Sequence, residues 1–334
     1  MGKHGGTEPV CHNADAMEPT QIPKDFNGEL YLFLHPDVRK AGMDPLWHYT
    51  HHGYKEGRNA APAGLQPNGW SYLNITDKQF LDNFIRQADR CYGWLKSLHV
   101  QPYHHILDFG CGEFIMDLGL VLRYGCHVTG IDIRDHFQFH KARNMAQLGL
   151  STFPDDLKLA TIMPGQDLRS IGKFDVIVSW SVFEHIRREL IDDIVANFRD
   201  ILNENGMVII QIDPLYFSPF GSHLDRIVKE PWAHLLYSKE QIINRVQSTP
   251  ASETLDLPLS EQSYDFIKEY LCKEFLELNM MGPNELIRLF ERNGFDIMKE
   301  ERKKTDLAVP EKLTGRFLLE DLLTTEIVIF CKSK

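Results

Sequence analysis

Asp108 stands directly before two glycines in the run Ile106-Leu107-Asp108-Phe109-Gly110-Cys111-Gly112. Glycines let a chain turn sharply and let a ligand approach where a Cβ would collide. A helix starting just beyond would add unpaired N–H groups. A dinucleotide site would need G-x-G-x-x-G to seat a pyrophosphate. Here Phe114, Ile115 and Met116 follow instead, and Asp108 would repel a diphosphate. The same carboxylate suits an ammonium. Asp132, followed by Ile133, ends the next apolar run, where a carboxylate can take both hydroxyls of a ribose. Gln166, Asp167 and Leu168 follow a third run, in reach of an adenine amine. A fourth run, Phe174 to Ile186, carries Ser179-Trp180 and then Glu184-His185.

These residues need strands and helices to bring them together. Short apolar runs predict strands at His105–Phe109, His127–Ile133, Leu157–Thr161, Asp175–Trp180 and Gly206–Asp213. Helical patterns lie between them at about Phe114–Tyr124, Asp135–Leu148 and Arg187–Leu202. Such alternation means an α/β, Rossmann-like domain with a mostly parallel sheet and helices on both faces. An earlier helix begins near Thr76, with Thr76 or Asp77 as its cap and Phe80, Leu81, Phe84, Ile85, Ala88, Tyr92 and Leu95 on its apolar face. Pro283–Asn293 reads as a last helix, and Phe295–Glu300 and Thr325–Cys331 as closing strands.

The run from Ile106 to Gly112, Asp132, Gln166-Asp167-Leu168 and the fourth strand, in this order, resemble the class I S-adenosylmethionine-dependent methyltransferase family. The resemblance is strong over residues 76–212 and holds in outline over 283–331. It implies a seven-stranded sheet with a reversed last strand and S-adenosylmethionine as cofactor. The cofactor would be held by Asp108, Phe109, Gly110, Cys111, Gly112, Asp132, Ile133, Gln166, Asp167, Leu168, Ser179 and Trp180. The family often has a third glycine two residues after the second. Here that residue is Phe114, so a bulkier rim to the cofactor pocket is expected.

Methyl transfer from a sulfonium needs an aligned nucleophile, exclusion of water and, for a hydroxyl, a proton acceptor. About 65 residues, Pro214 to Met280, separate the fifth strand from the last helix, too many for an idle loop. Residues 214–280 are read as a substrate lid, with Tyr216, Phe217 and Trp232 offering an apolar wall. Within it His223, after Gly221-Ser222, is the first candidate base, and His234, beside Trp232, the second. His185 is a minor third. Asp213-Pro214-Leu215-Tyr216 is similar to the [DN]-P-P-[YF] motif of methyltransferases that modify nucleic-acid amines. It follows the fifth strand and not the fourth, so base methylation is set aside. O-methylation of a small-molecule or glycan hydroxyl is the first reading. The alternatives are N-methylation of a small amine, which needs no base, and a non-catalytic protein that only binds the cofactor. His136 and His140, like His48, His51 and His52, lack an acidic third ligand in register, so no metal is expected.

The 334 residues allow one large domain with an appendage. With 43% hydrophobic and 25% charged residues, a sizeable soluble core is affordable. The net charge of −11 argues against nucleic acid as a partner, and no stretch is apolar enough to span a bilayer. Six cysteines without a C-x-x-C pair suggest reduced thiols in a cytoplasm. Residues 1–24 read as a flexible tail, 25–70 as a small helical module with its linker, and 71–334 as the methyltransferase domain. The module's pattern, Y-L-x-x-x-P-D-V then D-P-L-x-H-Y-x-x-x-G-x-x-E-G-R over Tyr31–Arg58, resembles a helical unit found beside bacterial glycosyltransferases and cell-surface glycan enzymes. The resemblance implies a glycan acceptor and partners in cell-surface glycan assembly.

Overall fold

The computed structural model describes residues 22–23, 26, 28–58, 60, 75, 77–101, 104–250 and 261–334. The expected tail and linker, and Thr76, lie wholly or mostly outside the described residues. The chain divides into two compact units, Met1–Asn68 and Gly69–Lys334.

The described residues of the first unit form three short helices, α1 (Gly28–Leu34), α2 (Pro36–Lys40) and α3 (Pro45–His48), the last running into a wider π-type turn at Tyr49–Gly53. Asp44 caps α3 by accepting from Trp47 N at 2.8 Å, and Pro45 occupies the first turn, where its missing N–H costs nothing. Tyr31, Val38 and Tyr49 form the core. The Tyr31 hydroxyl meets His48 Nδ1 at 2.9 Å, and a Cβ at residue 53 would lie 2.2 Å from that hydroxyl, so only glycine fits. Arg58 closes the unit by pairing with Asp37 and Glu56 at 2.7 and 2.6 Å. The residues that mark this module in sequence are largely those that hold it together.

The second unit is built on seven strands: β1 (His105–Phe109), β2 (His127–Asp132), β3 (Leu157–Thr161), β4 (Phe174–Trp180), β5 (Leu202–Ile212), β6 (Phe295–Lys304) and β7 (Thr324–Ser333). Their order is β3-β2-β1-β4-β5-β7-β6. All pairs are parallel except those of β7, which runs antiparallel to β5 and β6. This is the α/β Rossmann-like sheet with a reversed last strand. Strand side chains alternate between faces. On one face Leu107, Phe109, Ile177, Ile210 and Ile329 pack with Val195 and Phe198 of a helix at Arg188–Ile201 and Leu289 and Phe290 of another at Pro283–Arg292.

The other face carries the earlier helices, α4 (Lys78–Asp82) and α5 (Ala88–Ser97), joined by a π-type turn at Asn83–Gln87, and α6 (Ile115–Tyr124). Asp77 is the cap, accepting from Gln79 N and Phe80 N. The π-type turn changes which backbone groups pair, and the buried Arg123 guanidinium of α6 takes the carbonyls of Phe84 and Ile85 at 3.0 and 3.1 Å. Gly119 lets α6 come this close, since a Cβ there would sit 2.4 Å from Phe84 O. Next come α7 (Phe137–Leu148) and α8 (Arg188–Ile201).

After β5 the chain leaves the sheet and forms α9 (Ala233–Leu236), α10 (Lys239–Ser248) and α11 (Glu261–Glu277) before α12 (Pro283–Arg292). This insert has its own core of Tyr216, Leu224, Trp232, Ile242, Val246 and Phe275. Leu313 and Leu322 share that core; they come from the β6–β7 connection, which contains α13 (Leu319–Leu323). Among the described residues no helix is long and apolar enough to cross a membrane, and Cys91, Cys111, Cys126, Cys272 and Cys331 are unbridged.

Candidate active site

Asp108 and Asp132 end two adjacent parallel strands, β1 and β2, in which Asp108 pairs with Gly130. Behind Asp108 lies a second buried carboxylate, Asp117 of α6, in the space that Gly130 leaves: a Cβ there would be 2.8 Å from Asp117 Oδ2 and from Cys111 Sγ. No N–H or hydroxyl donor reaches Asp108 Oδ1 or either Asp117 oxygen. Burial therefore forces the pair to keep a proton. Asp117 is raised well above the carboxylate range by burial and by Asp108. Burial lifts Asp108 to about 7, with the Asp132 charge adding to the shift.

Asp132 is an organiser as well as a candidate ligand. Its Oδ2 accepts from Gly112 N at 3.0 Å, and its Oδ1 accepts from Arg134 N and Nε at 2.9 and 3.3 Å. The two glycines of the turn have different reasons to be glycine. Both have positive φ, 86° at Gly110 and 53° at Gly112. A Cβ at Gly110 would strike Val182 Cγ2 at 2.3 Å, so that space is filled by the segment after β4. At Gly112 a Cβ would meet nothing nearer than the Arg134 guanidinium at 3.9 Å, so Gly112 opens onto a hollow. A pocket beside it is lined by Gly112, Glu113, Arg134, His136, Phe137 and His140. Ile133 and Met163, just beyond β2 and β3, are 59% and 68% exposed.

Phe114 does not form a bulky rim. It adopts φ 48° at the position where the family often has glycine and is buried, with Phe137 and Phe153 each 6.0 Å away. The aromatic core outweighs the backbone strain.

The other expected cofactor residues divide. Gln166 Oε1 accepts from Met163 N at 2.9 Å. Asp167 caps the turn at Leu168–Ile171, and hydrogen bonds from the Arg169 guanidinium hold it down to about 2. Leu168 and Phe109 are core residues, Phe109 lying 5.1 Å from Phe198. Cys111 turns its sulfur under β2. Ser179 Oγ donates to Phe109 O at 2.9 Å, tying β4 to β1. Trp180 packs on Trp94 at 5.1 Å, with Arg90 over its ring. The side chains of Phe109, Cys111, Leu168, Ser179 and Trp180 are thus engaged with the surrounding fold.

A second cluster sits at the ends of β4 and β5. The ring centroids of His185 and His223 are 5.1 Å apart, edge to face. His223, with φ 60°, contacts Pro214 O through Nε2 at 3.3 Å, and His185 Nδ1 lies 3.7 Å from Glu274 Oε2 of α11. Burial drops both imidazoles to about 4; the Arg134 charge adds to this at His185, and His185 itself adds at His223. Beneath them Glu184 is buried, with neither carboxylate oxygen partnered, and burial lifts it to about 8. His234 is elsewhere in role: its buried ring meets Tyr216 O through Nε2 at 2.6 Å and anchors the insert. Glu184, Val182 and Glu274 were missed as site residues. Glu184 adjoins a recognised histidine, whereas Glu274 is brought in only by the folding of α11.

A family model described as a methyltransferase domain matches residues 46–300. No curated protein matches the chain. Among solved structures, the chain is similar to magnesium protoporphyrin IX methyltransferase from Synechocystis PCC 6803, solved with bound SAH. The identity is 13% over 75% of this chain and 82% of that one, with a TM-score of 0.45. An S-adenosylmethionine-dependent methyltransferase from Clostridium acetobutylicum ATCC 824 is 11% identical, covering 79% and 92%, with a TM-score of 0.44. A glycopeptide N-methyltransferase is 11% identical, covering 74% and 96%, with a TM-score of 0.42.

Proposed function

The chain belongs to the methyltransferase-domain family, and from that premise we propose that it transfers a methyl group from S-adenosylmethionine to a hydroxyl of a small molecule or a glycan. The residues present fit the cofactor. Asp108 offers a buried carboxylate oxygen without a donor, ready for the ammonium of the methionine moiety. Gly112 leaves room for a ligand, Asp132 would take the ribose hydroxyls, and Ile133, Met163, Gln166 and Asp167 would surround the adenine. When bound, the cofactor supplies an electrophilic methyl group on a positively charged sulfur. The protein's part is to align an acceptor oxygen and relieve it of its proton.

The single observation that carries the hydroxyl reading is the His185–His223 pair: two imidazoles, held neutral by burial, side by side at the ends of β4 and β5. Amine methylation needs no such group. The insert over residues 214–280 would cover the acceptor as a lid. The module's likeness to units beside glycan enzymes supports a glycan among the acceptors. The test is a labelled-methyl transfer screen against pooled sugars, nucleotide sugars, phenols and amines. Transfer to a hydroxyl acceptor is expected, and His223→Ala should lower it about 100-fold or more with S-adenosylhomocysteine affinity unchanged. Transfer confined to amines, or full turnover by His223→Ala, contradicts the reading.

A further inference from the structure

We propose that Glu184, His185 and His223 form a binding site for a first-row transition-metal dication. One ligand atom from each residue lies within 4.8 Å of the others. Ligand atoms around such an ion stand about 3–3.5 Å apart at the usual bond lengths of about 2.0–2.2 Å, so a bound ion would draw the set together. Two imidazoles and a carboxylate are the donors preferred by zinc, cobalt or manganese; magnesium and calcium prefer oxygen alone.

Two further observations point to an ion. Glu184 is 3% exposed, and neither Oε1 nor Oε2 has a hydrogen-bond partner. Buried carboxylates without donors are rare because their lost hydration is not replaced, and a cation replaces it. His223 is also oriented as a metal ligand usually is, with one ring nitrogen against an acceptor. His223 Nε2 faces Pro214 O at 3.3 Å, and His185 Nδ1 faces Glu274 Oε2 at 3.7 Å. With a proton on Nε2, His223 Nδ1 keeps its lone pair. Among the neighbouring charges, Asp213 and Glu274 act on Glu184 and favour a cation. Arg134, near His185, opposes it but is paired with Asp132.

Three protein donors leave coordination positions open, as in catalytic and not structural sites. Use of the site rests on the hydroxyl reading above. An acceptor hydroxyl bound at an open position would lose its proton to water more readily. The acceptor oxygen then takes the methyl group, and the C–S electron pair stays with sulfur. The histidines would thus act on the hydroxyl through the ion. The sequence hid this set because His223 is far along the chain from Glu184-His185, on the opposite side of β5.

The experiment titrates full-length, chelator-treated protein with Co2+ alone, followed by visible absorption, then with Zn2+ or Mg2+ as competitor. About one equivalent of Co2+ should bind in a site of low coordination number, displaced by Zn2+ and not by Mg2+. Glu184→Gln and His223→Asn should each weaken Co2+ binding about 100-fold or more while S-adenosylhomocysteine still binds, which shows that the variants fold. No Co2+ bound by the parent protein, or unaltered binding in both variants, overturns the metal site. Absence of S-adenosylhomocysteine binding in the metal-free parent would instead strike the methyltransferase reading and leave the Co2+ result standing.

Discussion

At Asp108 a carboxylate proposed to meet a cation is kept from water by the fold beside Asp117. The consequence is a pH dependence whose sign follows from burial. Burial raises Asp108 to about 7 in the fold, from near the ordinary carboxylate value when unfolded. Between those values the folded chain holds the extra proton, so this group's contribution to stability falls as pH rises through the window. An ammonium ligand needs the ionised form. Affinity for S-adenosylhomocysteine should therefore weaken as pH falls below about 7, by up to about tenfold per unit, with proton release on binding seen by calorimetry. Asp108→Asn should bind weakly with no such slope; an affinity that is flat from pH 8 to 5.5 in the parent contradicts the assignment. Phe114 makes a second residue-scale prediction. Phe114→Ala should cost about 3–5 kcal/mol of stability, read from denaturant unfolding, because the ring is core. A loss below about 1 kcal/mol would return Phe114 to the rim.

Elements bring these residues into place, and here the sequence was legible where signals are local. The strand runs ending at Asp108, Asp132 and Trp180 are apolar and short, and their ends match the structure within a residue or so. The π-type turn at Asn83–Gln87 left no mark, since it depends on Arg123 arriving from α6 to take two carbonyls. Nor did the pattern tell which side chains at the turn face the hollow. Gly110 is covered by Val182 and Gly112 is open, a difference decided by a segment distant in sequence. The insert was visible as excess length, but its partner was not: Leu313 and Leu322 complete its core from the β6–β7 connection. Trp232 is the hub, its Nε1 donating to Phe217 O and Leu322 O at 3.1 and 3.2 Å. Trp232→Ala should loosen the insert and spare the sheet. Methyl transfer should fall more than about tenfold, hydrogen exchange should rise over residues 214–248, and S-adenosylhomocysteine affinity should stay within about threefold. Equal loss of cofactor binding would mean that the insert is part of the cofactor site and not a lid.

At the scale of the whole molecule, one sheet edge organises the chemistry. The candidate cofactor residues gather where β1 and β2 end, and the acid–histidine cluster gathers where β4 and β5 end, with the switch in strand order lying between β1 and β4. The first unit has a small core of its own. A net charge of −11 fits a neutral or cationic ligand better than a polyanion. Everything depends on the sheet edge taking a sulfonium nucleoside and not a dinucleotide. The most direct measurement is titration calorimetry of the full chain with S-adenosylhomocysteine and with NAD, repeated on Asp132→Ala. Micromolar or tighter binding of S-adenosylhomocysteine, no heat with NAD, and weakening of about 10-fold or more in the variant are expected. Tight binding of NAD without S-adenosylhomocysteine, or an Asp132→Ala protein that binds as well as its parent, would contradict it.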